Sequence, residues 1–383
     1  MGQEKANLSV PFETSRAWAE VDLSALEQNI REVRRVLPSR VGIISVVKAD
    51  AYGHGVRPVV ERLSSLGVQG YAVASPLEGA EVRAIGVTEP ILVFGPIFPC
   101  DLALILTHGL SVSISSIEEI DWLRTALSGA RSNICVHLKI DTGMGRMGAA
   151  LSDAPTLVEA IQGIKTLKLA GVYTHLASAG EQAVFTALQR TRLAEFIETL
   201  PSAPDLLIHA DSSAGVTVFD ASGPWNAVRL GLMQYGCEPY PLTTDLSPVL
   251  KPVLSAHARV GLVKELSKGS AIGYGGTHRL TRDSIIAVVT LGYADGLSIH
   301  LSNCGSMIIG GQRCPILGRV CMDLTVLDVT DCPAIPQVGA LVTWIGSQGK
   351  ASISAEELSA WAQTIPWECL CSLSQRVPRF YFN

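Results

Sequence analysis

The sequence predicts an α/β fold, a parallel barrel of eight β/α units, followed by a mostly β second domain. Three observations predict it. Eight short apolar runs recur along roughly the first 240 residues, amphipathic helical stretches separate most of them, and the texture changes after about Pro241. At 383 residues the chain exceeds the usual size of one compact core, so two domains are the natural division.

In chain order, residues 1–16 read as an N-terminal extension. Met1–Val10 carries Glu4 and Lys5 and no apolar stretch, so no signal peptide is expected there. Ser24 and Glu27 have capping-box spacing. Leu26, Ile30, Val33 and Leu37 then follow at helical intervals until Pro38 stops the pattern. Gly42–Val47 is a continuous run rich in β-branched residues and reads as a strand buried on both faces. Seven more runs follow: Tyr71–Ala74, Ile91–Phe94, Leu110–Ile114, Ile134–Ile140, Leu169–Tyr173, Leu206–His209 and Ala227–Leu230. Helical stretches such as Leu77–Ile85 and Ala183–Leu200 lie between them. Eight such units in residues 17–240 point to a closed, TIM-like (β/α)8 barrel. An open doubly wound sheet is the competitor, but no G-x-G-x-x-G follows the first strand. Residues 241–383 show strand-like segments, including Ala256–Val263, Ser284–Leu291, Met307–Ile309 and Leu324–Val329, between Gly and Pro turns. The boundary is expected within Pro239–Pro252, and the N-terminal strand is a candidate to join this second domain.

Apolar residues make up 48 % of the chain and charged residues 17 %, which excludes a disordered protein. A net charge of -5 offers no global attraction to nucleic acid or anionic membrane. No uninterrupted apolar run approaches the ~20 residues that span a bilayer. Nine scattered cysteines without a C-x-x-C pair argue against a disulfide framework or a structural metal site. A soluble, cytoplasmic protein is expected.

In a β/α barrel the functional groups sit at the C-terminal ends of strands. Lys48 closes the first run, Lys139 the fifth (with Asp141 and Arg146 beyond it), His175 the sixth, His209 with Ser212 and Ser213 the seventh, and Arg229 with Gly231 the eighth. A lysine ending an apolar strand is costly to bury as a cation, so its pKa falls and the neutral amine needed for a Schiff base is favoured. Read alone, Lys48 is equally a solvated loop lysine. Glycine-containing turns after the last strands are the usual place for a barrel to hold a phosphate. Lysine and phosphate cradle together suggest pyridoxal phosphate, which composition alone does not identify.

The run VVKADAYGHG (Val46–Gly55) resembles the cofactor-lysine motif of the alanine racemases. HLKIDTGMGRMG (His137–Gly148), YTH (Tyr173–His175), RLG (Arg229–Gly231), GYGG (Gly273–Gly276), GYADG (Gly292–Gly296), CMD (Cys321–Asp323) and RVPR (Arg376–Arg379) follow in that family's order. The resemblance covers nearly the whole chain. It implies a pyridoxal-phosphate-dependent isomerase that interconverts L- and D-alanine and supplies D-alanine for the cell wall. By the same resemblance Lys48 holds the cofactor and is one of two catalytic bases. Tyr274 is the other, brought by the partner of a homodimer. His175 hydrogen-bonds that tyrosine, and Arg229 bonds the pyridine nitrogen. Tyr52, Ser213 and the N–H groups of Gly231 and Leu232 hold the phosphate. Arg146 and the Met322 N–H face the substrate carboxylate. Lys139, carbamylated in many members, would hold Arg146; unmodified it would repel it. Without the motifs, Tyr274 reads as a turn tyrosine, His175 as structural and Arg229 as an ion-pair residue.

Four positions depart from the family pattern. Ser212 replaces an asparagine, Gly180 an aspartate on the access route, Gln375 a tyrosine beside the phosphate, and Asp50 an asparagine. Gln375 removes an aromatic wall, so serine or a broader range of amino acids stays open beside alanine. A decarboxylase on the same fold and a non-catalytic pyridoxal-phosphate carrier compete with the racemase reading.

Overall fold

The computed structural model describes residues 14–129, 132–239 and 247–383. Most of the expected N-terminal extension and the middle of the expected boundary, residues 240–246, lie outside the described residues. The chain folds as two compact units. The barrel unit comprises Leu26–Ala51 and Gly55–Lys251, and the β unit comprises the chain up to Ala25, Tyr52–His54 and Pro252–Asn383.

The first strand, β1 (Ala17–Asp22), belongs to the β unit and leads into α1 (Leu23–Val36). The capping box expected at Ser24 is not formed. Asp22 caps instead, its Oδ1 accepting the Ser24 and Ala25 N–H groups at 2.8 and 3.0 Å, which leaves Ser24 inside the helix. A carboxylate serves better there because it also meets the positive helix end. Glu27 is drawn away to Arg31 and Arg62. Leu26, Ile30 and Val33 are completely buried, as their spacing requires.

Eight parallel strands follow: β2 (Gly42–Val46), β3 (Gly70–Val73), β4 (Ile91–Val93), β5 (Ser111–Ile114), β6 (Ile134–Lys139), β7 (Leu167–Tyr173), β8 (Leu207–His209) and β9 (Ala227–Leu230). From β2 to β8 each pairs with the next in sequence, and β9 returns to pair with β2. The β8–β9 seam has no regular ladder. It is closed by Asn226 N–H to the Ile208 carbonyl (3.0 Å), Arg229 N–H to the Asp211 carbonyl (2.9 Å) and a bridge between Ser212 and Arg229. The barrel is therefore nearly closed, in agreement with the sequence reading.

Between strands lie α2 (Lys48–Tyr52), α3 (Val56–Ser64), α4 (Pro76–Ala84), α5 (Leu102–His108), α6 (Ile117–Ala126), α7 (Ala154–Gln162), α8 (Ala183–Glu198) and α9 (Ser213–Val216). Helices α4 and α6 start with capping boxes at Ser75/Glu78 and Ser116/Glu119.

Strand alternation sets the barrel interior. In β6 the buried His137 and Lys139 alternate with the buried Val136 and Leu138. The register places His137 beside Gly171, Lys139 beside Tyr173, and Tyr173 beside His209. Gly171 is required by this layer, since a Cβ there would lie 2.3 Å from His137 Nδ1. A polar layer thus occupies the interior of strands read from sequence as apolar runs with polar residues at their ends.

In the β unit, β10 (Leu254–Leu266) is the spine. Its first half pairs with β1 and with β17 (Leu341–Gln348), its second half with β13 (Ser284–Val289). Two short strands, β11 (Ala271–Ile272) and β12 (His278–Arg279), form a hairpin between them. β14 (Ser306–Ile309), β15 (Gln312–Pro315), β16 (Thr325–Asp328), β18 (Ala351–Ile353) and β19 (Arg379–Phe382) complete the sheet, and α10 (Ala355–Trp361) and α11 (Pro366–Cys371) precede its last strand. No described helix is long and apolar enough to cross a membrane.

Candidate active site

Lys48 follows β2 at the C-terminal rim of the barrel. It is half-buried, and its amine makes no hydrogen bond or ion pair among the described residues. The chain then makes an unusual turn. Ala49, Asp50 and Ala51 have φ of 53°, 52° and 53° with ψ near 50°, and Tyr52 continues at φ 55°. A left-handed turn of non-glycine residues costs about 1–2 kcal/mol per residue. Bonds at both ends hold it: Ala51 N–H to the Val47 carbonyl (3.0 Å), Ala49 N–H to Glu78 Oε1 (2.9 Å), and Gly55 N–H to the Asp50 carbonyl (3.0 Å). Asp50 Oδ1 also accepts the first N–H of α3, from Val56, at 2.7 Å. An asparagine oxygen could make that same bond, so the Asp50 departure leaves the local structure intact. Tyr52 is buried, and its phenol is pushed well above its ordinary range by burial and then by Cys371.

Arg229 is 3 % exposed and the best-tied group in the barrel. Its Nη1 donates to His209 Nδ1 (2.8 Å) and the His209 carbonyl (3.0 Å). Its Nη2 donates to the carbonyls of Thr174 (2.9 Å) and Ala210 (2.8 Å) and to His175 Nδ1 (3.2 Å). The remaining donor, Nε–H, has no acceptor among the described residues. Burial lowers this guanidinium only to about 10, so it stays charged at neutral pH.

A cation that only donates fixes the tautomers around it. His175 and His209 both accept at Nδ1, so each carries its proton on Nε2. His209 Nε2–H then meets His137 Nδ1 at 3.1 Å. All three imidazoles stay neutral. Burial and the Arg229 charge lower His137 to about 4, His209 well below its usual value, and His175 to about 3, with Arg146, Lys139 and Lys48 adding to the last. Tyr173 stacks on His209 at 4.7 Å, and its hydroxyl meets Ser113 Oγ at 2.7 Å.

Lys139 ends β6 under the same positive field. Burial, then Arg146 and Arg229, lower its amine to about 8. The loop beyond it is folded by Asp141. Burial alone would raise that carboxyl, but N–H donors from Gly143, Gly145 and Met144 bring it below its ordinary value. The loop presents Arg146 exposed, without a hydrogen bond or ion pair among the described residues.

After β8, Ser213 Oγ accepts from the N–H groups of Gly231 (3.0 Å) and Met233 (3.2 Å). The Gly231 N–H is thereby spent on Ser213, whereas the buried Leu232 N–H has no acceptor among the described residues. Below this turn Asp211, fully buried, pairs with Arg190, whose Nη1 also donates to the Val218 carbonyl at 2.8 Å. Neither residue of this pair is singled out by the sequence, because a buried ion pair carries no local pattern.

The barrel rim thus brings together Lys48, Lys139, Arg146, His175, Ser213, Arg229, Gly231 and Leu232. Tyr274 and Met322 are carried by the β unit. Tyr274 tops the β11–β12 hairpin and is 71 % exposed, while Ile272 and Leu280 beneath it pack with Ile286 and Leu317. Burial of such side chains contributes about 1.5–3 kcal/mol each, so the exposed ring stands on a firm base. The Met322 N–H has no acceptor among the described residues. The segment around it is pressed against Gly292, where a Cβ would sit 2.4 Å from the Met322 carbonyl. Arg376 joins RVPR to CMD through Asp323 (2.7 Å), and Asp295, buried in GYADG, takes Arg16 at 2.6 Å. Arg16 and Asp295 were not among the expected site residues. Gln375 is exposed.

The family model for the alanine racemase N-terminal domain matches residues 21–239, and that for the alanine racemase C-terminal domain matches 253–381. The chain belongs to the alanine racemase family. The alanine racemase of Halothermothrix orenii is 41 % identical over 97 % of this chain and 98 % of its own length. That of Methylacidiphilum infernorum is 37 % identical over 96 % and 92 %. Among solved structures, the alanine racemase of Bacillus anthracis with bound L-Ala-P superposes with a TM-score of 0.89 at 33 % identity, covering 98 % of this chain and 96 % of that one. The E. faecalis alanine racemase gives 0.89 at 31 %, covering 96 % and 98 %. As an alanine racemase family member the chain is a pyridoxal-phosphate-dependent isomerase. The rim suits that cofactor: a lone lysine amine, an unused Leu232 N–H beside Ser213, and a pinned guanidinium with one spare donor.

Proposed function

We propose that this racemase interconverts L- and D-alanine with Lys48 and Tyr274 as its two bases, supplying D-alanine for peptidoglycan in the cytoplasm. The observation that carries the reading is the pairing of an unpartnered Lys48 amine with Arg229, whose single spare donor is left at the same rim. Pyridoxal phosphate, when bound, withdraws electrons and so acidifies the substrate Cα–H. Lys48 would hold the cofactor and Arg229 Nε–H would meet its ring nitrogen, the fixed positive charge keeping that nitrogen unprotonated. The Ser213 hydroxyl, the Leu232 N–H and Tyr52 would hold the phosphate, with the Gly231 N–H holding Ser213 Oγ in place. Arg146 and the Met322 N–H would take the substrate carboxylate, a planar fork suiting two oxygens.

Inverting a stereocentre needs a proton taken from one face and returned to the other, hence two bases. A phenol with an ordinary pKa near 10 is a weak base at neutral pH and needs a donor to stabilise its phenolate. His175, neutral with its proton on Nε2, is such a donor. In our reading the phenol it meets belongs to Tyr274 of the partner subunit in a homodimer. The exposure of Tyr274 on a firm hairpin favours this.

The test is complementation. Lys48→Ala and Tyr274→Phe protomers, each inactive alone, are mixed, dissociated and reassociated. With cross-subunit sites, half of the dimers are mixed and half of their sites complete, so roughly a quarter of wild-type activity returns. No recovery in verified mixed dimers would place both bases in one chain.

We also infer that Lys139 is carbamylated. Carbamate forms from the neutral amine and CO2, and an anion there would relieve the positive charge of Arg146, Arg229 and Lys48. Because Lys139 is lowered to about 8, the amine becomes neutral as pH rises through that value. Carbon-13 NMR in labelled bicarbonate should show a carbamate signal that fades below about pH 8 and is missing in Lys139→Ala. An unmodified Lys139 above that pH rejects the assignment.

A further inference from the structure

Two of the nine cysteines face each other within the β unit. Cys314 lies on β15 and is 1 % exposed, and Cys332 sits in the turn after β16, partly exposed. Their sulfurs are 3.5 Å apart, and the turn is fixed by Cys332 N–H donating to the Val329 carbonyl at 3.1 Å. Cys332 is partly exposed and its flanking residues, Asp331 and Pro333, are exposed, so the turn that carries it faces solvent. Cys314 lies buried behind it. One reachable thiol with a second in van der Waals contact is the arrangement needed for an attacking and a resolving cysteine.

We propose that Cys314 and Cys332 form a reversible dithiol–disulfide site that exchanges with low-molecular-weight disulfides. The Cys332 thiolate attacks one sulfur of the disulfide, forming a mixed disulfide and releasing one small thiol. Cys314 then gives up its proton and attacks the Cys332 sulfur, forming the Cys314–Cys332 bond and releasing the second small thiol. Two protein thiols are oxidised and one small disulfide is reduced to two thiols, so atoms and electrons balance. The order follows from position: Cys314 lies buried behind Cys332, and burial, with the neighbouring Cys332, pushes its thiol up to about 12, which leaves Cys332 as the attacking thiol. In a reducing compartment such a pair is open by default and closes when the small-disulfide pool rises.

The bond would span the base of a long hairpin. β15 and β16 are joined by a bridge between Ile316 and Leu327 and by Leu317 N–H to the Val326 carbonyl at 2.8 Å. The connection between them carries Gly318, tied to Asn303 Oδ1 at 2.7 Å, Val320, tied to Ser302 Oγ at 3.0 Å, and then Met322. Closing this loop covalently removes freedom from the unfolded chain and stabilises the β unit.

The test uses the full-length protein treated with glutathione disulfide, then alkylated under denaturing conditions and digested. We expect one cross-linked peptide pair holding Cys314 and Cys332, lighter by two hydrogens and separated by dithiothreitol. Cys314→Ser should stop at a glutathione adduct on Cys332, and Cys332→Ser should leave Cys314 unmodified. The oxidised wild type should melt higher by several degrees, roughly 3–8 °C, and the two variants should not shift. A lasting glutathione adduct on Cys332 in wild type, or modification confined to the exposed Cys100, Cys304 and Cys371, would overturn the proposal.

Discussion

Lys48→Ala is expected to lower kcat/KM for alanine by about 10⁴-fold or more, since it removes both the cofactor's covalent anchor and one of the two bases. Its effect on folding should be small. The half-buried side chain has no hydrogen-bond or ion-pair partner among the described residues, so stability should move by no more than about 0.5–1 kcal/mol in urea denaturation. Activity and stability therefore separate. A Lys48→Ala protein that is inactive because it is unfolded would mean the lysine holds up the barrel rim. A folded variant that retains racemisation would remove Lys48 from the chemistry.

Arg229→Met is the second large effect, and its sign is reversed: stability falls first. Five acceptors, the carbonyls of Thr174, His209 and Ala210 and the Nδ1 atoms of His175 and His209, lose their donor in a buried layer. Leaving such groups unpaired costs the desolvation of each, and breaking a buried charged cluster destabilises by about 3–5 kcal/mol. Urea denaturation of the apo-protein measures it without the cofactor. Arg229→Lys should recover only part of the loss, because three donors on a point charge cannot reach five acceptors spread around a planar fork. A loss below about 1 kcal/mol for the methionine variant would show that the histidines and carbonyls rearrange around the gap.

The fold was largely legible because it depends on periodicity. Eight apolar runs became eight parallel strands, and the glycine-punctuated segments of the second part became its mostly antiparallel sheet. What escaped the sequence was set by tertiary context. The helix start at Asp22 rather than Ser24 turned on a carboxylate two residues upstream of the expected cap. The left-handed turn after Lys48 has no local signal, since alanine does not favour that conformation and only the bonds at its ends impose it. The polar interior was hidden differently. His137, Tyr173, His209 and Arg229 lie on four strands, and only strand pairing, with closure at the β8–β9 seam, makes them neighbours. Arg190 and Asp211 stand 21 residues apart with nothing in either segment to announce a pair. The rim residues Lys48, Lys139, His175 and Arg229 were marked by their place at strand ends, but their chemistry rested on the family motifs.

The most direct test of the central claim is to incubate the purified protein with pyridoxal phosphate and L-alanine and to quantify D-alanine, with Lys48→Ala beside it and L-serine as a second substrate. The wild type should form D-alanine, the variant none above background, and serine should turn over more slowly. A yellow, cofactor-loaded wild-type protein that forms no D-alanine would contradict that claim, and turnover of serine ahead of alanine would shift the substrate to the wider pocket left by Gln375.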